Sequence, residues 1–402
     1  MKQKMLFDEF DREIFSAGQE IFRCGDSGDC AYLVEEGAVE VLVDKEDGEH
    51  RIKLIGKNEL FGEIALIDYQ PRTATVRAVE RTTLVPIPRK LMEGLLEQSD
   101  PVLRHVLLVI LERFRNRNEE SPATKSAEAI PPEQVVRRKA LQGEATQKLA
   151  LAHGMKRALI REEFDLFYQP ICTLATGRVA GFEALIRWHH PKDGLIPPND
   201  FLWVAEQTDL IHEVGLWTLE RACRDWVALR RLTHCEKPFF SVNLSVAQLG
   251  NQNLVSDIRA IVKHQGINPE ELKFELTETV MIAHPDRALH TMQELIKLGC
   301  NLALDDYGAG HSGLTNLQRY PISTLKIDRV FVGPIADSMQ SLEIVRSSVA
   351  LAHSLGMEVV AEGIETEEVA EMLKAIRCQY GQGWFFGRPA PLQDLVNRLA
   401  GE

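Results

Sequence analysis

The sequence has no CxxC pair, no apolar run long enough to cross a bilayer and no surplus of positive charge, and each shortfall removes a class of function. The seven cysteines are odd in number and scattered from Cys24 to Cys378, which fits reduced thiols better than a disulfide frame. The longest apolar run, Val106 to Leu111, is far shorter than the roughly 20 residues of a spanning helix. The start, MKQKMLFDEFDREIF, lacks the apolar h-region of a signal peptide, so a soluble, cytoplasmic protein with no membrane partner is expected. Acidic side chains outnumber basic ones by 59 to 46, a formal net charge of −13. Generic DNA or RNA binding needs a cationic surface to displace counterions from phosphates, so that class is set aside. Any nucleotide must be held locally.

What is present is ample hydrophobic material, 45% of 402 residues, enough for two or three packed domains. The second half is organised around Asp305-Asp306 in NLALDDYGAG, where the apolar run Leu302 to Leu304 delivers two adjacent carboxylates into a Gly-rich loop. Neighbouring ionised carboxylates repel, so such a pair needs a cation, a shared proton or a basic partner. Other apolar runs end on one polar residue each: Glu183 after Phe182, Asn243 after Val242, Glu275 after Phe274, Lys326 and Asp328 around Ile327, and Glu362 after Ala361. Between them lie helical stretches, including 201–210, 216–229, 254–264, 288–298, 341–355 and 369–375. Strands with functional groups at their C-terminal ends, separated by helices, predict an α/β fold, a (β/α)8 TIM-like barrel with its chemistry on one face. Several carboxylates on one face are tolerable with divalent metal, and an all-oxygen donor set suits Mg2+ or Mn2+ better than zinc.

Residues 168 to 389 resemble the EAL-domain phosphodiesterases that hydrolyse cyclic di-GMP. The resemblance runs in order through Tyr168-Gln169-Pro170-Ile171, Glu183-Ala184-Leu185-Ile186-Arg187-Trp188, Asn243-Leu244-Ser245, Glu275-Leu276-Thr277-Glu278, Asp305-Asp306-Tyr307-Gly308, Lys326-Ile327-Asp328, Glu362-Gly363-Ile364-Glu365 and Gln382-Gly383. It implies a first strand antiparallel to the rest, and a two-metal hydrolysis of cyclic di-GMP to linear pGpG. It also implies that Glu183, Asn243, Glu275 and Asp305 hold one ion and Asp305 with Asp306 the second, Glu362 serving as a further ligand or as base. Lys326 would orient the water or the phosphate, so that Glu183, Lys326 and Glu362 form the catalytic set. Arg187 would grip a phosphate, while Gln169 and Gln382 would contact guanine edges. Glu278 and Glu365 would anchor their loops. Tyr307 and Ala309 depart from the Phe and Thr commoner in this loop, without touching a ligand.

Residues 20 to 88 alternate apolar and polar positions in short runs broken by glycines, with Asp47-Gly48 as a hairpin signal, so the N-terminal part is predicted to be a small antiparallel β-structure. Phe61-Gly62-Glu63-Ile64-Ala65-Leu66, followed by Pro71-Arg72-Thr73, places a glycine at the start of a short helix and a nearby arginine, an arrangement that suits a phosphate. Glu63 fits such a site by accepting from sugar hydroxyls. Together with Gly25-Asp26, Tyr32-Leu33-Val34 and Gly37, the segment resembles the cassette of cyclic nucleotide-binding domains, a β-roll with flanking helices. The resemblance implies that Glu63 holds the ribose 2′-hydroxyl and Arg72 the cyclic phosphate, with Thr73 bonding the phosphate of cAMP or the 2-amino group of a guanine in cGMP. cAMP is favoured as the commoner ligand. Arg104, His105, Arg113 or Asn116, on the helix predicted over 101–118, would read the base.

That helix has apolar positions at Val102, Leu103, Val106, Leu107, Val109, Ile110 and Phe114, a stripe broad enough to lie on the β-roll and on a second copy, so a homodimer is expected. Residues 119–132 (EESPATKSAEAIPP) read as a linker, and Pro132 begins a long helix into the barrel. The expected domains are thus residues 1–118, a linker and coupling helix over 119–150, and residues 151–402. The combined expectation is a cyclic-nucleotide-regulated cyclic di-GMP phosphodiesterase. The alternative is a catalytically weak cyclic di-GMP sensor or scaffold.

Overall fold

The computed structural model of the chain describes residues 12–45, 48–97, 99–118, 132–277, 285–308, 317 and 319–399. It divides into two units, Met1–Ala150 and Leu151–Glu402.

Period-two alternation builds the first unit. Strands β1 (Glu13–Phe15), β2 (Glu20–Phe22), β3 (Cys30–Glu36), β4 (Val39–Lys45), β5 (Gly48–Ile55), β6 (Leu60–Phe61), β7 (Thr75–Ala78) and β8 (Thr82–Pro88) form two antiparallel four-stranded sheets, ordered β1-β8-β3-β6 and β2-β7-β4-β5. This is the β-roll expected. The inward residues Tyr32, Val34, Val39, Ile55, Phe61, Val76 and Leu84 make its core. Lys45 pairs with Gly48 across the β4–β5 turn, while Asp47 lies outside the described residues.

Helix α1 (Ile64–Asp68) joins β6 to β7, and α2 (Arg89–Glu97) and α3 (Pro101–Asn118) follow the roll. Asp100 caps α3, its Oδ1 accepting from Val102 N at 2.8 Å. The apolar stripe of α3 is only partly covered. Leu111 is buried, but Leu103 is 64% and Ile110 56% exposed, with Val106 and Phe114 also out. Seven apolar positions span more of the helix than one packed side takes up.

Helix α4 (Pro132–Arg161) is one 30-residue helix beginning at the predicted proline, and the expected 119–132 linker lies outside the described residues except at Pro132. In the first unit its Ala145 is buried and Lys148 pairs with Asp100. In the second unit its Met155 and Ala158 join the barrel core. Gly154 permits a close approach there, since a Cβ would stand 2.8 Å from Trp188 Cη2.

The second unit is a closed barrel. Strands β9 (Phe164–Thr173), β10 (Val179–His190), β12 (Phe239–Asn243), β13 (Leu272–Thr277), β14 (Asn301–Tyr307), β15 (Thr324–Ile327), β16 (Glu358–Ala361) and β17 (Tyr380–Gln382) hydrogen-bond in that order, and β9 closes the ring against both β10 and β17. The short strands β11 (Gly194–Ile196) and β18 (Ala390–Pro391) extend β10 and β9. Pairs from β10 to β17 are parallel, and β9 is antiparallel to both neighbours. Helices α5 (Leu202–Glu206), α6 (Leu210–Leu229), α7 (Val246–Leu249), α8 (Leu254–Gln265), α9 (Pro285–Leu298), α10 (Arg329–Val332), α11 (Met339–Ser354), α12 (Glu367–Ala375) and α13 (Leu392–Leu399) complete the described helices. Strands flanked by helices are buried on both faces, so Leu302 to Leu304 of β14 form a continuous buried apolar run and β13 is buried from Leu272 to Leu276 even though Lys273 and Glu275 alternate with its apolar residues.

Candidate active site

Register brings the expected polar side chains together, although Glu183 lies inside β10, which runs on to His190, and not at the strand end expected. Glu183 on β10 lies opposite Gln169 on β9, Asn243 on β12 opposite Glu275 on β13, and Asp305 on β14 opposite Thr277. Lys326 comes from β15, Gln382 from β17, and Glu362 immediately follows β16. At the centre is Lys326, 1% exposed. Its Nζ is 2.6 Å from Glu275 Oε2, 2.7 Å from Glu362 Oε1, 3.0 Å from Asp305 Oδ1 and 3.5 Å from Glu183 Oε2. Burial alone would lower the lysine, but the four surrounding carboxylates outweigh it and hold Lys326 well above its usual value.

The same burial separates the acids. It pushes Glu275 well above the carboxylate range, with the charge of Glu183 adding to the rise and Lys326 opposing it. Burial raises Glu362 to about 8 despite Lys326. It also takes Asp306 to about 6, with Asp305 and Asp328 contributing. For Glu183 burial works upward too, yet Lys326 and hydrogen bonds from Gln382 and Asn243 outweigh it and hold the group below its usual value. Glu183 is thus biased toward its charged form, and burial biases Glu275 and Glu362 the other way.

The donor set fits hard divalent cations. Asp305, Asp306 and Glu362 each offer an oxygen, and the three lie within 4.8 Å of one another. Asp305 Oδ1 touches Lys326 yet makes no hydrogen bond among the described residues, which leaves an acceptor for a cation. Asn243 Nδ2 donates to Glu183 Oε1 at 3.1 Å, so its carbonyl oxygen faces away from that carboxylate. Asp306 sits at φ 55, a left-handed conformation that turns its carboxylate out of line with the strand. A cleft of about 480 Å³ opens beside the acids, lined by Asn243, Glu275, Asp305 and Asp306 on one side and Leu202 and Trp203 on another.

The other expected site residues lie apart from the acids or are engaged within the protein. Arg187 stays on its strand, donating to Ile186 O at 2.8 Å with its guanidinium 5.5 Å from the Phe167 ring centroid. Gln382 Nε2 donates to Glu183 Oε2 at 2.6 Å and to Gln169 Oε1 at 3.0 Å. Glu365 is exposed, and Glu278 and Ala309 lie outside the described residues.

In the first unit, Gly62 precedes Glu63 and α1 at φ 77, where a Cβ would meet Arg72 Nη1 at 2.7 Å. Glycine is therefore required beside the arginine. Arg72 is 5% exposed, donates to Gly62 O at 2.7 Å and Cys30 O at 2.6 Å, and lies 4.0 Å over the Phe22 ring. Its Nε is buried without a hydrogen-bond partner among the described residues, a donor suited to an anion. Phe61 and Ala65 are buried, while Glu63, Ile64 and Thr73 are half-buried. Among the residues expected to read a base, Arg104 and His105 are half-buried and Arg113 is exposed, and the side chain of Asn116 lies outside the described residues.

Sequence reasoning missed Arg115. It reaches from α3 to the buried Asp68 at the end of α1, pairing with both oxygens, and donates to Pro71 O at 2.9 Å. It missed Arg89 as well, which stacks over Tyr69 and donates to Leu66 O at 3.3 Å and to Gly28 O. The available signal was an acid, Asp68, set between two parts of an anion cassette.

Two family models match the chain: the EAL domain over residues 153–389 and the cyclic nucleotide-binding domain over residues 12–99. Cyclic di-GMP phosphodiesterase NbdA of Pseudomonas aeruginosa is 38% identical over 63% of this chain, which spans about a third (32%) of that protein. Cyclic di-GMP phosphodiesterase RocR of the same organism is 36% identical, covering 61% of this chain and 62% of its own length. Among solved structures, the cAMP-bound form of the EAL enzyme Bd1971 superposes with a TM-score of 0.80 at 31% identity, covering 97% of this chain and 100% of its own. Bd1971 has also been solved with cGMP, and with cAMP and cyclic di-GMP together.

Proposed function

Because the chain belongs to the EAL-domain family and carries a cyclic nucleotide-binding domain ahead of the barrel, we propose that it hydrolyses cyclic di-GMP to linear pGpG under the control of a cyclic mononucleotide, with cAMP ahead of cGMP. The observation that carries the reading is Lys326 ringed by Glu183, Glu275, Asp305 and Glu362 at one end of a barrel. Burying so many charged groups is costly in desolvation, and such clusters concentrate at functional sites. Two hard cations, Mg2+ or Mn2+, suit the oxygen donors, with Glu183, Asn243, Glu275 and Asp305 about one, and Asp305 and Asp306 about the other. When bound, such ions supply Lewis acidity at a phosphodiester and lower the pKa of water.

The side chains do the rest. Glu362 is the candidate base for the attacking water: burial lifts it to about 8, and cations held beside it would favour the charged form that a base needs. Lys326 stays cationic and steadies the anionic oxygens it faces. Asn243 and Gln382 fix Glu183 from opposite sides. The water oxygen forms a new P–O bond as the P–O bond to the ribose 3′-oxygen breaks, the leaving 3′-oxygen takes up a proton, and the ring opens to pGpG.

For regulation, the reading is supported by the preset Arg72 and by Bd1971 having been solved with cAMP. The sensor is taken as residues 1–118, the linker and coupling helix as 119–150, and the phosphodiesterase as 151–402. A homodimer is proposed, supported by the exposed apolar face of α3. A net charge of −13 supports neither DNA nor RNA as partner, and a cytoplasmic location fits the two cyclic nucleotides. Incubating the purified protein with cyclic di-GMP and Mg2+ or Mn2+ should yield pGpG. Bound but uncleaved ligand would instead favour the sensor.

A further inference from the structure

Glu183 is gripped by two amides. Asn243 Nδ2 donates to its Oε1 at 3.1 Å and Gln382 Nε2 to its Oε2 at 2.6 Å. The second N–H of Gln382 goes to Gln169 Oε1 at 3.0 Å, and Gln169 Nε2 in turn donates to Gly387 O at 3.2 Å. From the geometry of this relay we infer that Gln382, seated by Gln169, is a positioning residue that holds Glu183 in its metal-ligating orientation, and does not read a guanine edge.

The polarity of the relay is forced. A carboxylate and a peptide carbonyl only accept, so the NH2 of each glutamine must point toward them. Gln382 thus uses both hydrogens inside the protein. Its own carbonyl is buried and unpartnered among the described residues, the residue is 4% exposed, and it is not among the residues lining the cleft, so neither of its N–H donors is left for a base. An unsatisfied buried carbonyl costs stability, which a glutamine kept for packing alone would not need to bear. The restraint has a purpose: Glu183 stands among like-charged carboxylates, and a ligand that must not swing away from its neighbours has to be tied from outside the cluster. Three adjacent strands supply the tie, since Gln382 on β17, Gln169 on β9 and Glu183 on β10 are neighbours around the ring.

The inference rests on the phosphodiesterase reading only in assigning Glu183 to a divalent ion, and its test needs no turnover. Mn2+ is titrated into substrate-free wild type, Gln382→Met and Gln169→Leu by calorimetry. Gln382→Met, close in size but without a donor, should bind Mn2+ roughly 10- to 100-fold more weakly, the usual effect of losing a partner behind a ligand. Gln169→Leu should bind less weakly than that but below wild type. In turnover, excess Mn2+ should restore kcat while KM for cyclic di-GMP at saturating Mn2+ stays at the wild-type value. Unchanged Mn2+ affinity with a raised KM would overturn the inference in favour of base contact. If circular dichroism shows Gln382→Met unfolded, Gln169→Leu decides, and wild-type Mn2+ affinity there overturns the relay. Weakened Mn2+ binding in the variants of a wild type that makes no pGpG would sink the phosphodiesterase reading and leave the relay standing. An active wild type whose variants bind Mn2+ normally would sink the relay alone.

Discussion

Replacing Lys326 by methionine keeps the length of the side chain and removes the charge that four carboxylates share. Lys326 Nζ lies within 3.0 Å of Glu275, Glu362 and Asp305. Removing one partner of a buried ion pair costs about 3–5 kcal/mol. Three such losses do not add, because Glu275 and Glu362, already raised by burial, take up protons once the lysine is gone. The net loss for the metal-free barrel is therefore about that of one pair. At roughly 2–4 °C per kcal/mol for a domain near this size, the barrel transition should fall by about 6–20 °C. The assay is scanning calorimetry in EDTA and again in excess Mn2+. Because a bound cation replaces the missing charge, Mn2+ should raise the variant's midpoint by more than it raises the wild type's. An EDTA midpoint equal to wild type, or higher, would refute Lys326 as the counterion that holds the cluster together.

Asp305→Asn should abolish turnover while circular dichroism stays native, since Asp305 is the acid assigned to both ions, and near-wild-type turnover would contradict the two-ion assignment. Arg72→Ala should weaken cAMP binding by roughly 2–5 kcal/mol by calorimetry, and Glu63→Gln by less, because an amide oxygen still accepts from a ribose hydroxyl. Unchanged affinity in Arg72→Ala would move the nucleotide site elsewhere. Arg115→Ala removes the ion pair to Asp68 and loosens α3 from the cassette helix. The variant should still bind cAMP yet lose its effect on cyclic di-GMP affinity, which in the wild type should be about 5- to 150-fold in either direction of measurement. Full coupling in that variant would exclude the ion pair from the path.

The acids were legible where a short apolar run stops on a polar residue, as Leu302 to Leu304 stops on Asp305, and less so at Glu183, which Ala184, Leu185 and Ile186 follow in the same strand. The order of the barrel followed from that. The reversed direction of β9 was not legible in its residues, since a run such as Phe164–Thr173 has the same alternation whichever way it points. Helix ends were blurred where a cap is weak: the stretch expected at 201–210 is α5, which stops at Glu206, and α6 begins at Leu210, six residues before the predicted start. In the cassette the residue types named its anion chemistry. Arg115 escaped because nothing in its own helix marks which of several basic residues turns toward Asp68. Gln169 and Gln382 were recognised as belonging to the site, but a glutamine both donates and accepts, and only the neighbouring acceptors, Glu183 and Gly387, fix what it does.

The central claim is that this chain opens cyclic di-GMP and that a cyclic mononucleotide sets the rate. A chromatographic time course with purified protein, Mn2+ and cyclic di-GMP, run with and without cAMP, tests both parts at once. The account predicts that pGpG accumulates as cyclic di-GMP disappears, at a rate that cAMP changes in the wild type and leaves unchanged in Arg72→Ala. Cyclic di-GMP that remains intact, or is cleaved at one rate whether or not cAMP is bound, would contradict it.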